Sequence, residues 1–222
     1  MRAALPLLVG LLLAGCASSQ PAVPPAPEDA ADALSALETH LLTTPGAVTY
    51  HITSGGVFES DLTGMLEMTG DYVGLTAEGD FGGIATQLQL TVLDDEVEMV
   101  VGGEKTRVTR PPALREAVVL GMTRMGLFHN LARLTVATLP DHAEGGVDGW
   151  IETHSARWGP TERVEGVEAR ALHFALRVAG TEATEATLWL DTATGLPVRR
   201  DETTEFPGGT MTVVERYSSR PD

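Results

Sequence analysis

The side chains able to do chemistry in this sequence are few. There is one thiol, Cys16, and there are six histidines and 31 aspartates and glutamates. A single cysteine excludes an internal disulfide. It follows the small residues Ala14 and Gly15 at the end of an apolar run. No Gly-x-Ser-x-Gly elbow, His-Glu-x-x-His pair or Gly-rich loop ending in Lys-Ser/Thr is present. His129, His142 and His154 with Asp141 could form a metal set only if the fold gathered them. Metal ligands usually repeat at short spacing, so these read as surface and helix-end histidines and no metal site is expected. Asp94-Asp95-Glu96 and Asp201-Glu202 read as hairpin and edge charges rather than acid/base pairs. Gly79-Asp80-Phe81-Gly82-Gly83 shares only its glycines with a phosphate loop and reads as a hairpin connection. The expectation is a protein that is not an enzyme and has no cofactor beyond lipid on Cys16.

The N-terminus gives that cysteine its setting. Arg2 is followed by the short apolar run Ala3 to Leu13 and then by Ala14, Gly15 and Cys16. A secretory signal has this order, with an apolar stretch of about 7–15 residues before small residues at the cut. Crossing a bilayer takes about 20 apolar residues, so the run is too short for that. Leu13-Ala14-Gly15-Cys16 resembles the bacterial lipobox. The resemblance implies a diacylglycerol on the thiol, cleavage before Cys16 and acylation of the new amino group. Two or more chains hold a protein stably on a membrane, whereas one does so only marginally. Residues 1–15 are therefore expected to be a lipoprotein signal peptide, and 16–28, rich in Pro and Ala, a lipidated cysteine and tether. Ala17 follows the cysteine. In enteric bacteria an aspartate there favours the inner membrane, so alanine points to the periplasmic face of the outer membrane.

Charge narrows the partners. The formal net charge is −16, and removal of residues 1–15 takes one positive charge with it. Phosphate binding needs a basic surface, so nucleic acid is not expected as a partner. A body of this charge would not lie flat on anionic headgroups. The expected partner is the membrane, through the lipid anchor.

The elements that must hold any site begin with a helix from about Asp29 to Leu42. Its apolar spacing runs through Ala33, Leu34, Leu37 and Leu41, and Pro45-Gly46 stops it. The period then becomes two. Leu62, Gly64, Leu66, Met68; Val73, Leu75, Ala77; Leu88, Leu90, Val92; and Val97, Met99, Val101 alternate with polar residues, as strands with one packed face do. Gly70-Asp71 and Gly102-Gly103 read as hairpin turns. From 111 to 138 a stripe of Leu114, Val118, Met122, Met125, Phe128, Leu131 and Leu134 has helical spacing. Arg115, Glu116, Arg124, Asn130 and Arg133 lie largely off it. Gly121 and Gly126 make two helices with a bend as reasonable as one. This insertion is either a buried helix packed on a sheet or a movable cover over an apolar space. Strands resume near Trp150, with Leu172, Phe174, Leu176 and Ala186, Leu188, Leu190 facing one way, and continue to Tyr217.

The reading is one α+β domain over 29–222, mainly antiparallel: a curled half-barrel of about ten to eleven strands with helices over its concave face. A large sheet tends to curl. The apolar space would be lined by Val73, Leu75, Leu88, Leu90 and Val92, by Met122, Met125, Phe128 and Leu131, and by Leu172, Phe174 and Leu176. Six methionines, Met65, Met68, Met99, Met122, Met125 and Met211, suit a space that adapts to flexible chains, and suit ordinary core equally.

Two stretches carry a resemblance. Gly159-Pro160-Thr161-Glu162-Arg163-Val164-Glu165-Gly166-Val167-Glu168-Ala169 is similar to a strand entry, and Leu188-Trp189-Leu190-Asp191-Thr192-Ala193-Thr194-Gly195-Leu196-Pro197-Val198-Arg199 to a hairpin, of the LolA/LolB-type lipoprotein carriers and the lipid-handling lipoproteins LppX and LprG. The resemblance implies a half-open barrel with helices over a cavity for acyl chains, the insertion being part of the cover. It implies a membrane-anchored lipoprotein that binds lipid or lipoprotein acyl chains non-covalently, in envelope transport or localisation. A non-catalytic scaffold or sensor that binds another envelope protein through the same sheet is the alternative.

Overall fold

In the computed structural model the described residues are 28–136, 151–178 and 180–219. Cys16, the tether before Glu28, Asp141, His142 and Trp150 lie outside them.

Helix α1 is Ala30–Thr43, one residue off the span expected at each end. Asp29 caps it, its carboxylate accepting the backbone N–H of Ala31 at 2.8 Å. Six strands follow in hairpins: β1 Gly46–Gly56, β2 Ser60–Thr69, β3 Tyr72–Phe81, β4 Ile84–Leu93, β5 Glu96–Val101 and β6 Glu104–Thr109. The insertion is α2 Leu114–Leu120, a π-helical turn Gly121–Met125 and α3 Leu127–Thr135. Five strands complete the chain: β7 Ile151–Val164, β8 Val167–Val178, β9 Thr181–Asp191, β10 Pro197–Phe206 and β11 Gly209–Ser219.

All eleven strands form one antiparallel open sheet in the order β6-β5-β4-β3-β2-β1-β11-β10-β9-β8-β7. Each neighbour is a hairpin partner except at the centre, where β1 pairs with β11. The α+β half-barrel expectation therefore holds, with an eleventh strand. β1 was not read from the sequence because Ser54, Gly55 and Gly56 dilute an inward set that includes Tyr50 and Ile52. β6 escaped notice because it is an exposed edge strand, its polar residues outnumbering Val108. The two edges are protected. Lys105 and Arg107 in β6 pair with Glu98 in β5, and β7 carries Pro160 and two register shifts.

The turns use the residues foreseen. Gly82 and Gly83, both at positive φ, close β3 to β4, and Gly83 N–H donates to Asp80 Oδ1 at 2.8 Å. The glycine-rich stretch 79–83 is thus a hairpin connection. Both stretches that carried the resemblance form hairpins. Glu165-Gly166 turns β7 into β8, and 192–196 joins β9 to β10, with Ala193 N–H donating to Asp191 Oδ1 at 2.8 Å.

Helices α1, α2 and α3 and the π turn pack on the concave face. One apolar cluster packs the inner residues of β1–β5 and β11 under α2, the π turn and α3. A second packs Leu34 and Leu37 of α1 on Leu172, Phe174, Leu176 and Leu188.

Candidate functional site

Between those two apolar clusters lies a buried set of charges, placed where the insertion crosses the middle of the sheet. It begins with the phase of two strands. In β11, Val213 and Tyr217 face inward, so the alternation turns Glu215 inward as well. Its cross-strand partner in β10 is Arg200. Both are fully buried. Arg200 Nη1 lies 2.7 Å from Glu202 Oε2, without the alignment of a hydrogen bond. Burial alone would lower the Arg200 pKa; Glu202 and Glu215 beside it instead hold the guanidinium above its usual value. Burial pushes the Glu215 carboxyl up, against the opposing pull of Arg200, the Tyr217 hydroxyl and the Phe128 N–H. Burial also raises the Tyr217 and Tyr50 hydroxyls.

These groups grip the backbone of the insertion at its break. Gly126 has φ +90°, a conformation that favours glycine. A Cβ there would stand 2.8 Å from Arg200 Nη1 and from Glu215 Oε1. On one side of the break, Arg200 donates through Nε to the carbonyl of Arg124 at 3.1 Å, and through Nη2 to the same oxygen. On the other, Glu215 Oε1 accepts the N–H of Phe128 at 2.7 Å. The cation thus meets an acceptor carbonyl of the π turn, and the anion meets the N-terminus of α3, which is the favourable polarity. Tyr217 donates to the second oxygen of Glu215.

A second grip joins α1 to the π turn. Glu38 is buried and takes a two-pronged pair from Arg124, Nε to Oε1 at 2.7 Å and Nη2 to Oε2 at 2.6 Å. Arg124 Nη1 also donates to the carbonyl of Ile151 at 2.8 Å. Arg124 and Asn130 therefore do not lie on a wet face, as their place off the apolar stripe suggested. Asn130 sits where a Cβ on Gly121 would be, and its Nδ2 donates to Ala117 O at 3.3 Å. Asp201-Glu202 is likewise no edge pair: β10 is internal, Asp201 binds Arg199 and Glu202 binds Arg200.

The residues expected to line an apolar space are gathered on the concave side. Val73, Leu75, Leu88, Leu90, Val92, Met122, Phe128 and Leu131 are buried in the first cluster. Leu172, Phe174 and Leu176 are buried in the second, with Met125 half-buried against it. Of these twelve, only Met122 borders a described apolar cavity of about 60 Å³. The rest of its wall comes from the C-terminal end of α1, the ends of β1, β2, β10 and β11 and the 192–196 turn, including Leu41, Val48, Leu66, Met68 and Leu196. Drug-sized ligand pockets are typically about 300–1,000 Å³, so this cavity is smaller than one, whereas an open groove of about 650 Å³ between α1 and α2 is lined by Ser35, Glu38, Leu42, Pro112, Val119 and Arg124.

Among the described residues no three His, Cys, Asp or Glu stand close enough to hold a metal. His129 lies on α3, and His154 of β7 pairs with Glu182 of β9 at 2.8 Å over β8. No described helix is long and apolar enough to cross a membrane.

No protein-family model matches the chain, and no curated protein does. Solved structures do. LprF from Mycobacterium bovis is 12% identical over 87% of this chain and 93% of its own, with a TM-score of 0.48. MucB is 16% identical over 88% of this chain, which covers 59% of MucB, with a TM-score of 0.45. A LolA superfamily protein from Nitrosomonas europaea is 10% identical over 78% of this chain and 84% of its own, with a TM-score of 0.29. At TM-scores below 0.5, none of these likenesses bears on what this chain does.

Proposed function

We propose that this protein is a lipid-anchored envelope protein that binds acyl chains of lipid or lipoprotein non-covalently between its sheet and a displaceable helical cover. The observation that carries the reading is how the cover is held. A helix meant only to complete a core needs apolar contact alone, and buried ion pairs are weak evidence for stability. Here the insertion is broken at Gly126 and gripped at the break by Arg200 and Glu215, and again at Arg124 by Glu38. Such contacts define one seated position and are lost together when the piece lifts. The exposed sheet face would be apolar on β1–β5 and charged at Arg200 and Glu215 in its middle, and each acyl methylene buried on the apolar part contributes about 0.8 kcal/mol. Cys16 would fix this activity at a membrane, with the outer membrane as the favoured site from Ala17.

Protein purified from membranes and examined by native mass spectrometry should carry acyl lipid. Repeated lipid-free preparations that also refuse a fluorescent fatty acid would sink the reading. The dense apolar packing under the insertion favours a second reading: a non-catalytic scaffold that keeps its core closed and binds another envelope protein through the sheet. Under that reading amide exchange in 114–135 stays slow whether or not lipid is offered.

A further inference from the structure

We propose that Arg200 and Glu215 are the polar subsite of the acyl-binding face and select an acyl ligand with an uncharged headpiece. A carbonyl oxygen of that headpiece accepts from Arg200, and a hydroxyl or amide N–H donates to Glu215. This rests on the reading that the helical cover is displaceable.

The cover itself shows what the pair binds. Arg200 Nε donates to the carbonyl oxygen of Arg124 at 3.1 Å, and Glu215 Oε1 accepts the Phe128 N–H at 2.7 Å. Both partners are uncharged peptide groups, one an acceptor and one a donor. They come this close because Gly126 between them has no Cβ; one there would stand 2.8 Å from Arg200 Nη1 and from Glu215 Oε1. Lifting the cover removes both partners at once. The surroundings are largely apolar: Val213 and Tyr217 flank Glu215 on the inner face of β11, and Leu188 of β9 lies across from Arg200. An unpaired polar group in such a place is costly, and a charged one more so. Hydrocarbon cannot replace the lost partners, whereas a headpiece with a carbonyl and a donor can. Arg200 Nη1 has room for such a carbonyl too. It is fully buried and makes no hydrogen bond, although Glu202 Oε2 is 2.7 Å away.

Charge and spacing select the headpiece. Arg200 stands beside the carboxylates of both Glu202 and Glu215. A carboxylate or phosphate brought to its guanidinium meets both of them, and an uncharged carbonyl is not repelled. Tyr217 already donates to the second oxygen of Glu215, so the ligand's donor takes Oε1, the oxygen that Phe128 vacates. Arg200 and Glu215 are cross-strand partners, on strands about 4.8 Å apart. The carbonyl and the donor must therefore lie within a few bonds of each other, as they do in an acyl amide that carries a hydroxyl. The subsite lies between the two apolar clusters, so the attached chain runs onto apolar surface.

The test uses the chain with Cys16→Ser, purified without its lipid and titrated by calorimetry with three probes of similar chain length. N-Lauroylethanolamine carries the carbonyl and the donors, dodecyloxyethanol lacks the carbonyl, and laurate carries a charge. N-Lauroylethanolamine is expected to bind about tenfold more tightly than either of the others. Arg200→Met, which keeps an unbranched side chain without donors, should erase the gap to dodecyloxyethanol. Glu215→Gln, which removes the charge and keeps an acceptor, should shrink the gap to laurate by about threefold or more. Equal binding of the three probes by the unaltered protein overturns the subsite and leaves acyl binding standing. So does a preference for laurate, or a pair of gaps that the two substitutions leave unchanged. If Arg200→Met does not fold, the probe series on the unaltered protein and on Glu215→Gln decides. Failure of every probe to bind removes the acyl-binding reading itself, and the subsite with it.

Discussion

Glu215 in β11 accepts the backbone N–H of Phe128 at the start of α3, 2.7 Å away, through a carboxylate fully shut off from water. The sheet thereby supplies a cap that the helix lacks in its own sequence, since Gly126 has no side chain to offer. Glu215→Ala leaves the Phe128 N–H and the Tyr217 hydroxyl without their acceptor, and Arg200 with one polar neighbour fewer, in a buried place. The expected loss is roughly 3–5 kcal/mol, read by urea unfolding. A loss under 1 kcal/mol, taken as roughly the scale of a surface pair, would contradict the burial.

The same carboxyl makes stability depend on pH. Its folded pKa is raised by burial from an ordinary 4.5. Its contribution is therefore fully present below that ordinary value and is lost as pH rises through the folded one. Glu215→Gln keeps an acceptor for Phe128 and cannot ionise. Melting temperatures of the two proteins should diverge as pH climbs above about 4.5, the unaltered protein falling relative to the variant. A difference independent of pH would show that Glu215 is not the group responsible. Arg200, Glu202, Tyr217 and Tyr50 are the charged and titratable groups around it.

Gly126→Ala should cost about 1–3 kcal/mol, because it sets a Cβ at a positive φ and against the Arg200–Glu215 pair. Hydrogen exchange is the discriminating measurement. Amides of 114–135 should open before those of β1–β4; uniform opening of the whole domain would mean that the insertion does not move as a unit.

Glu38→Ala and Arg124→Ala each break a buried two-pronged pair and should each cost roughly 3–5 kcal/mol. The double variant should cost well under the sum. Additive losses in a thermal or urea double-mutant cycle would say that the two side chains act independently.

Leu131→Ala removes a fully buried side chain of the cover. A loss of about 2–5 kcal/mol is expected from the removed methyls and the cavity left behind. If acyl chains enter beneath the cover, this variant should also take up a fluorescent fatty acid faster than the unaltered protein. Unchanged or slower uptake would argue for the closed scaffold.

The sheet was legible because most of its strands pair a period of two with glycine turns. Leu88-Gln89-Leu90-Thr91-Val92 can be read no other way, and buried and exposed residues alternate there as expected. The grips on the cover were not legible. Arg200 lies in Pro197–Phe206, whose burial does not follow a clean alternation and whose residues are mostly polar, so nothing separates it from Arg199. A usable signal existed for Glu215, midway between Val213 and Tyr217 at period two, and for Glu38, four residues after Leu34 and next to Leu37. Both sit in phase with apolar neighbours that are buried, and charges in phase with a core are the ones that must be paired. The break at Gly126 was legible as a bend; its seat over two charges depends on strands about 75 or more residues away in sequence and leaves no local trace.

The pairing of β1 with β11 has a consequence for how such a chain is made. Thr49 bonds to Ser218, 169 positions later, at the centre of the sheet. The first strand synthesised thus waits for the last before either is covered on both sides. The middle of the sheet therefore cannot assemble until residues 209–219 have been made and released, whichever hairpins have already closed on either side.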